Sequence, residues 1–134
     1  MNSAVGTIDV DKTLEEVNRI KDKSLRLPIP VGYKILVTLP KIEEKTAGGI
    51  IKPDSVVDRE ETAANIGFVV ALGPDAYKDK DKFPTGPWCK EGDFIVMRPY
   101  SGTRMYIDGE EFRMLNDDSI DGVVADPRGF SRAN

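Results

Sequence analysis

Apolar and polar positions alternate along residues 33–39. Tyr33, Ile35, Val37 and Leu39 fall on one side of an extended chain, with Lys34, Leu36 and Thr38 on the other, and Pro40 ends the run. Ile66, Phe68, Val70 and Leu72 keep the same step through ANIGFVVAL and predict a second strand. A third strand is expected from Phe94 to Met97, behind the Gly92-Asp93 turn. Two strand-like runs in TRMYIDGEEFRML are joined by Asp108-Gly109, a pair that suits the two left-handed positions of a type I′ hairpin turn. A short apolar strand around Ile120 to Val124 ends the ordered pattern, and a polar tail occupies 126–134.

Helical spacing occurs only near the N-terminus. Leu14, Val17, Ile20 and Leu25 suit one face of a short helix, and Thr13 with Glu16 three positions on reads as a capping box. The Leu27-Pro28-Ile29-Pro30 run then forces extended backbone and stops that helix. The helix is expected to patch onto the domain surface, with docking to a partner as the other reading. The predicted organisation is an extension over 1–29, an all-β domain over 30–125 and the tail. Five or six short strands without strand–helix–strand alternation predict a small antiparallel, Greek-key-like β-barrel, which leaves few open edges.

Composition narrows the functions. At 134 residues and 40% hydrophobic, the chain can build one real core. With 19 basic against 23 acidic residues the net charge is −4, which offers no electrostatic footprint for nucleic acid. There is no histidine, so the commonest general base and metal ligand is missing. The single cysteine, Cys89, precludes an intrachain disulfide and has no histidine to activate it. No apolar run approaches the ~20 residues of a membrane span, and the first residues lack a charged-then-apolar signal pattern. A cytoplasmic protein is expected.

The candidate chemistry is thin. Glu43-Glu44, Glu110-Glu111 and Asp117-Asp118 are sequence neighbours that do not flank one substrate, so solvated charge is the simpler account. Gly48-Gly49 lacks the lysine and following helix of a phosphate loop. Tyr33, Tyr100 and Tyr106 are more often core or rim residues than stacking platforms. No catalytic residue, metal site or cofactor is expected.

Two long gaps remain between strands. Residues 73–90, GPDAYKDKDKFPTGPWCK, read as a surface excursion pinned locally by Tyr77, Phe83 and Trp88. Residues 43–62 carry nine charged side chains and a Gly-Gly pair, yet place Ile50 beside Ile51. Structureless loops of more than ~12–15 residues are usually functional or disordered. Exposing each isoleucine costs on the order of 1.5–3 kcal/mol relative to burial, which an apolar groove on a partner would recover. A turn that tucks both against the barrel is the bland alternative.

Four collinear stretches weigh between these readings. PVGYKILVTLPK (30–41), KTAGGIIKP (45–53), ANIGFVVALGP (64–74) and KEGDFIVMRPYSGTRMYIDGEEFRMLNDDSIDGVV (90–124) together resemble the GroES-type co-chaperonins, the lids of the chaperonin cage. Within the last stretch, Gly92-Asp93, the Tyr100, Gly102, Thr103, Arg104 run and Asp118 to Ile120 fall in register with the family signature.

The resemblance implies a homo-heptameric dome in which first and last strands of neighbouring subunits pair. That assigns subunit contact to Tyr33, Ile35, Val37 and Leu39 and to Ile120, Val123 and Val124. It implies a mobile loop that folds on a GroEL-type double-ring chaperonin through Gly48, Gly49, Ile50, Ile51 and Lys52. Lysine at the third position of the family's hydrophobic triplet is a departure, although its aliphatic stem can still cover apolar surface. The ring would cap the partner and enclose unfolded polypeptides, with ATP bound by the partner alone. Weak single loops suffice when several on one ring act together. The N-terminal 27 residues and the 73–90 excursion resemble instead the co-chaperonins that bacteriophages encode. Readings from other classes are a virion structural barrel or a nucleic-acid-binding barrel; a hydrolase is least favoured without histidine.

Overall fold

The computed structural model describes residues 5–22, 27–40, 42–45 and 65–130. Its elements are β1 (Val5–Ile8), α1 (Val10–Asp22), β2 (Lys34–Thr38), β3 (Ile42–Lys45), β4 (Ile66–Leu72), β5 (Phe94–Met97), β6 (Thr103–Ile107), β7 (Glu110–Asn116) and β8 (Ile120–Val124). Six strands form one antiparallel sheet in the order β6-β7-β2-β4-β5-β8, while β1 and β3 pair separately. With α1 added, this is the strand-rich β-barrel architecture expected from the alternation. Among the described residues no ladder joins β6 to β8, so each keeps one open edge.

The β6–β7 hairpin turns where the sequence indicates. Asp108 and Gly109 adopt φ of 52° and 81°, the two left-handed positions of a type I′ turn. Ile107 then faces Glu110, and the ladder runs back to Thr103 opposite Met114.

β2 lies at the centre, paired to β7 on one edge and β4 on the other. Both of its faces are buried, which explains an almost unbroken apolar run. Ile35 and Val37 join Val69, Ile95, Met97, Leu115 and Ile120 on one face of the sheet. Leu36 joins Ile66, Phe68, Val70, Phe94 and Phe112 on the other.

The strict alternation expected along β4 breaks at a bulge. Leu36 faces Ala71 and Val37 faces Val69, so Val70 is the extra residue. Val70 and Ala71 therefore both pack on the Leu36 face, while Leu72 packs on the Ile35 face, out of step with Ile66 and Phe68.

Each face has its own cover. Residues 73–90 contribute Ala76, Tyr77, Phe83 and Cys89 to the Ile35 face as buried members of the core, which corrects their reading as a purely surface excursion. Phe83 stands edge-on to Tyr77 and to Trp88, with ring centroids 4.9 Å away in each case. The segment is tied down at two further points: the Tyr77 amide donates to Asp117 Oδ2 at 2.9 Å, and Lys82 pairs with Asp118. Gly73 permits the entry, because a Cβ there would lie 2.4 Å from the Gly32 carbonyl oxygen.

The opposite face is covered by the N-terminal extension through Ile8, Val10, Val17 and Leu27. The helix begins earlier than the Thr13/Glu16 pattern suggests. Asp9 is its cap: Asp9 Oδ1 accepts the Lys12 amide at 2.9 Å, and the Asp9 carbonyl accepts the Thr13 hydroxyl at 2.7 Å. Thr13 thus sits buried in the first turn, and Glu16 pairs with Arg19 instead of closing a capping box. Leu14, expected on the apolar face, is 40% exposed, and Leu25 lies outside the described residues.

Candidate functional site

The motif expected from the sequence to bind a partner, Gly48, Gly49, Ile50, Ile51 and Lys52, lies outside the described residues. Its roots do not. The expected loop starts at residue 43, but residues 42–45 are the strand β3, paired antiparallel with β1 from Ile8 opposite Ile42 to Val5 opposite Lys45. At the far end the chain re-enters at β4, where Ile66 is fully buried. The strand pattern of β1 was not read from the sequence, because VGTI alternates too briefly to stand out.

The residues expected at subunit contacts separate into two groups. Ile35 and Val37 are fully buried inside the chain, and both edges of β2 are already hydrogen-bonded. They are core residues of an inner strand and cannot pair with a neighbour. Leu39 packs, partly buried, against the same cluster, while Tyr33 is 52% exposed. At the other strand, Ile120 is buried and Val124 packs against the opposite core face, but Val123 is 48% exposed. Among the described residues β8 pairs only with β5, which leaves its outer edge open there.

Sequence reasoning passed over the most exposed aliphatic side chains among the described residues. Ile29 and Val31 are 86% and 72% exposed. The signal was present in Pro28 and Pro30, which hold the chain extended but lack the amide hydrogens of an inner strand. This extended segment is held against the barrel by the Gly32 carbonyl, which accepts the Asp75 amide at 2.9 Å.

The titratable groups are structural. Burial raises the pKa of the Glu111 carboxyl, but hydrogen bonds from Arg104 and Arg113 outweigh it and hold the group below its ordinary value. Arg113 is itself buried, and its Nε donates to Glu111 Oε2 at 2.9 Å. Arg104 bridges the same carboxylate and stacks over the Tyr100 ring at 5.0 Å. Burial pushes the Cys89 thiol up, opposed by its contact with the Tyr77 hydroxyl at 3.2 Å, so it is a packed, unreactive sulfur. Among the described residues, no group of three or more Cys, Asp or Glu could hold a metal ion, and no helix is long and apolar enough to cross a membrane. What the described residues offer is surface: an open strand edge at β8 and the exposed Ile29 and Val31.

Comparison with known proteins agrees. Residues 28–124 match the chaperonin 10 Kd subunit family. The chain is 40% identical over 95 residues to the co-chaperonin GroES of Ruegeria sp. (strain TM1040), covering 71% of this chain and 95% of that one. The co-chaperonin GroES of Desulfotalea psychrophila matches with the same identity and coverage, and that of Rubrobacter xylanophilus is 38% identical over 95 residues, 71% of this chain and 93% of its own. An antiparallel barrel whose matched region spans nearly the full length of such relatives therefore belongs to the chaperonin 10 Kd subunit family.

Proposed function

We propose that the protein is a co-chaperonin that caps a chaperonin double ring and encloses the folding chamber during the partner's ATP cycle. The observation that carries this reading is the family match over 28–124, which spans the whole barrel. Gly48, Gly49, Ile50, Ile51 and Lys52 make the contact, and seven subunits place seven such motifs on one rim. Ordering each costs ~1–2 kcal/mol per residue, so a single contact is weak and the ring supplies avidity.

Assembly uses the open edge of β8, with Val123 facing the neighbour. The neighbour presents the extended Leu27 to Val31 segment, whose Ile29 and Val31 are otherwise left in water at a cost of a few kcal/mol. Tyr33 flanks that contact. The ring works in a cytoplasm, and its cargo is unfolded polypeptide. The N-terminal extension and the aromatic-plugged 73–90 segment support a bacteriophage-encoded lid that serves phage proteins in an infected cell.

Sedimentation velocity with a bacterial double-ring chaperonin, with and without ATP, tests the function. Nucleotide-dependent co-sedimentation is expected, and Ile51→Asp should abolish it while the ring survives. A protein that runs as a monomer and binds no chaperonin would refute the proposal.

A further inference from the structure

The N-terminal extension lies outside the family match, which begins at residue 28, yet it engages the strand leading into the partner-binding motif. Two independent attachments are visible. β1 hydrogen-bonds β3 over all four positions, from Val5 opposite Lys45 to Ile8 opposite Ile42. Immediately after, Ile8, Val10 and Val17 anchor β1 and α1 into the apolar face formed by Leu36, Phe68 and Phe112, with Met105 and Ile107 at its margin. Arg19, hydrogen-bonded to Glu16, is also within electrostatic reach of Asp108 and Glu110 at the β6–β7 turn. One element therefore grips both the strand β3 and the body of the barrel.

We infer that β1 and α1 form a clamp that fixes β3, the strand leading toward the partner-binding segment, to the barrel. The inference rests on the co-chaperonin reading and concerns what this chain adds to it. Among the described residues the only ladder of β3 is the one to β1, so losing β1 would leave none of those pairings in place. A lone strand in water does not hold its conformation. With β1 in place, residues 42–45 are already ordered before any partner arrives, so fewer backbone dihedrals remain to be fixed on binding. The clamp also keeps the motif's starting point at a fixed place on the rim, which matters where several copies must engage one ring together.

The test uses two full-length variants. In Gly6→Pro/Thr7→Pro, β1 loses the amide hydrogens of both central residues, whichever of them faces β3. Thr7→Cys/Glu43→Cys joins two residues that are Cα partners in the ladder, a spacing that suits a disulfide. Hydrogen exchange at residues 42–45 reads the clamp directly, and ATP-dependent chaperonin binding reads its consequence. The proline variant should lose protection at 42–45, keep its ring, and bind about tenfold more weakly, the effect of one or two further residues to be ordered on binding. The oxidised disulfide variant should bind at least as tightly as wild type. Unchanged exchange at 42–45 in the proline variant would overturn the clamp, as would loss of binding on oxidation that reduction restores. If wild type binds no chaperonin, the exchange data still decide the clamp while the co-chaperonin reading fails.

Discussion

Truncating Phe83 measures whether residues 73–90 belong to the core. The ring is 3% exposed and packs edge-on against Tyr77 and Trp88 at 4.9 Å. Phe83→Ala removes the shared partner of both aromatic contacts, and core Phe→Ala changes cost about 3–5 kcal/mol. The cavity cannot close easily, because the segment is fixed on either side by the Tyr77–Asp117 hydrogen bond and the Lys82–Asp118 ion pair. Against a total stability of roughly 5–15 kcal/mol, this is a large fraction. For a chain of this size it corresponds to a fall in Tm of roughly 10–20 °C. Urea unfolding followed by Trp88 fluorescence provides the assay, repeated at several protein concentrations because assembly stabilises subunits by mass action. Trp88→Ala, at a side chain 41% exposed, is the comparison and should cost clearly less when followed by circular dichroism. A loss below about 1 kcal/mol for Phe83→Ala would show that the segment can detach without disturbing the barrel, and would refute its place in the core.

Two glycines separate backbone strain from steric clash. Gly109→Ala, at φ of 81° in open space, should cost about 1 kcal/mol, whereas Gly102→Ala, at φ of 76° with its Cβ 2.6 Å from the Met114 carbonyl, should cost several-fold more in thermal melts. Glu111 yields a pH prediction whose sign follows from its lowered pKa. Its stabilisation is present above the ordinary carboxylate value and lost as pH falls through the lower folded value. Wild type and Glu111→Gln should therefore differ most near neutral pH, by about 1–3 kcal/mol, and converge only as pH falls below the lowered folded value in urea titrations. A gap that persists undiminished into strong acid would contradict the ion-pair account.

Local chemistry made some elements legible and nonlocal pairing hid others. Asp108-Gly109 specifies its own turn, because both positions need positive φ and these residues tolerate it. The alternation through Ile35, Val37 and Leu36 located β2, but it could not show that both edges of the strand are occupied, and this is why Ile35 and Val37 proved to be core rather than contact residues. The bulge at Val70 is likewise a property of the ladder with β2, invisible in β4 alone. At the helix start, Asp9 and Thr13 both suit a cap. The outcome depended on β1 delivering the chain at Ile8, so the earlier residue took the role. The motif Gly48 to Lys52 was singled out by its resemblance, while β1 and β3 escaped because VGTI and IEEK are too short to show a period of their own.

The second bulge, on β8, bears on assembly order. Val96 faces Gly122 and Met97 faces Ile120, which leaves Asp121 as the extra residue in an edge strand. Beyond such a residue the outward amides and carbonyls shift phase, and the strand twists more sharply. An incoming strand can then satisfy the donors and acceptors on both sides of Asp121 in one alignment only. Slipped pairings, including the indefinite stacking that flat edges invite, leave groups unmatched. In the assembly proposed above, the irregularity would act as a proofreader of subunit addition, favouring a closed ring over a fibre before any side chain is compared.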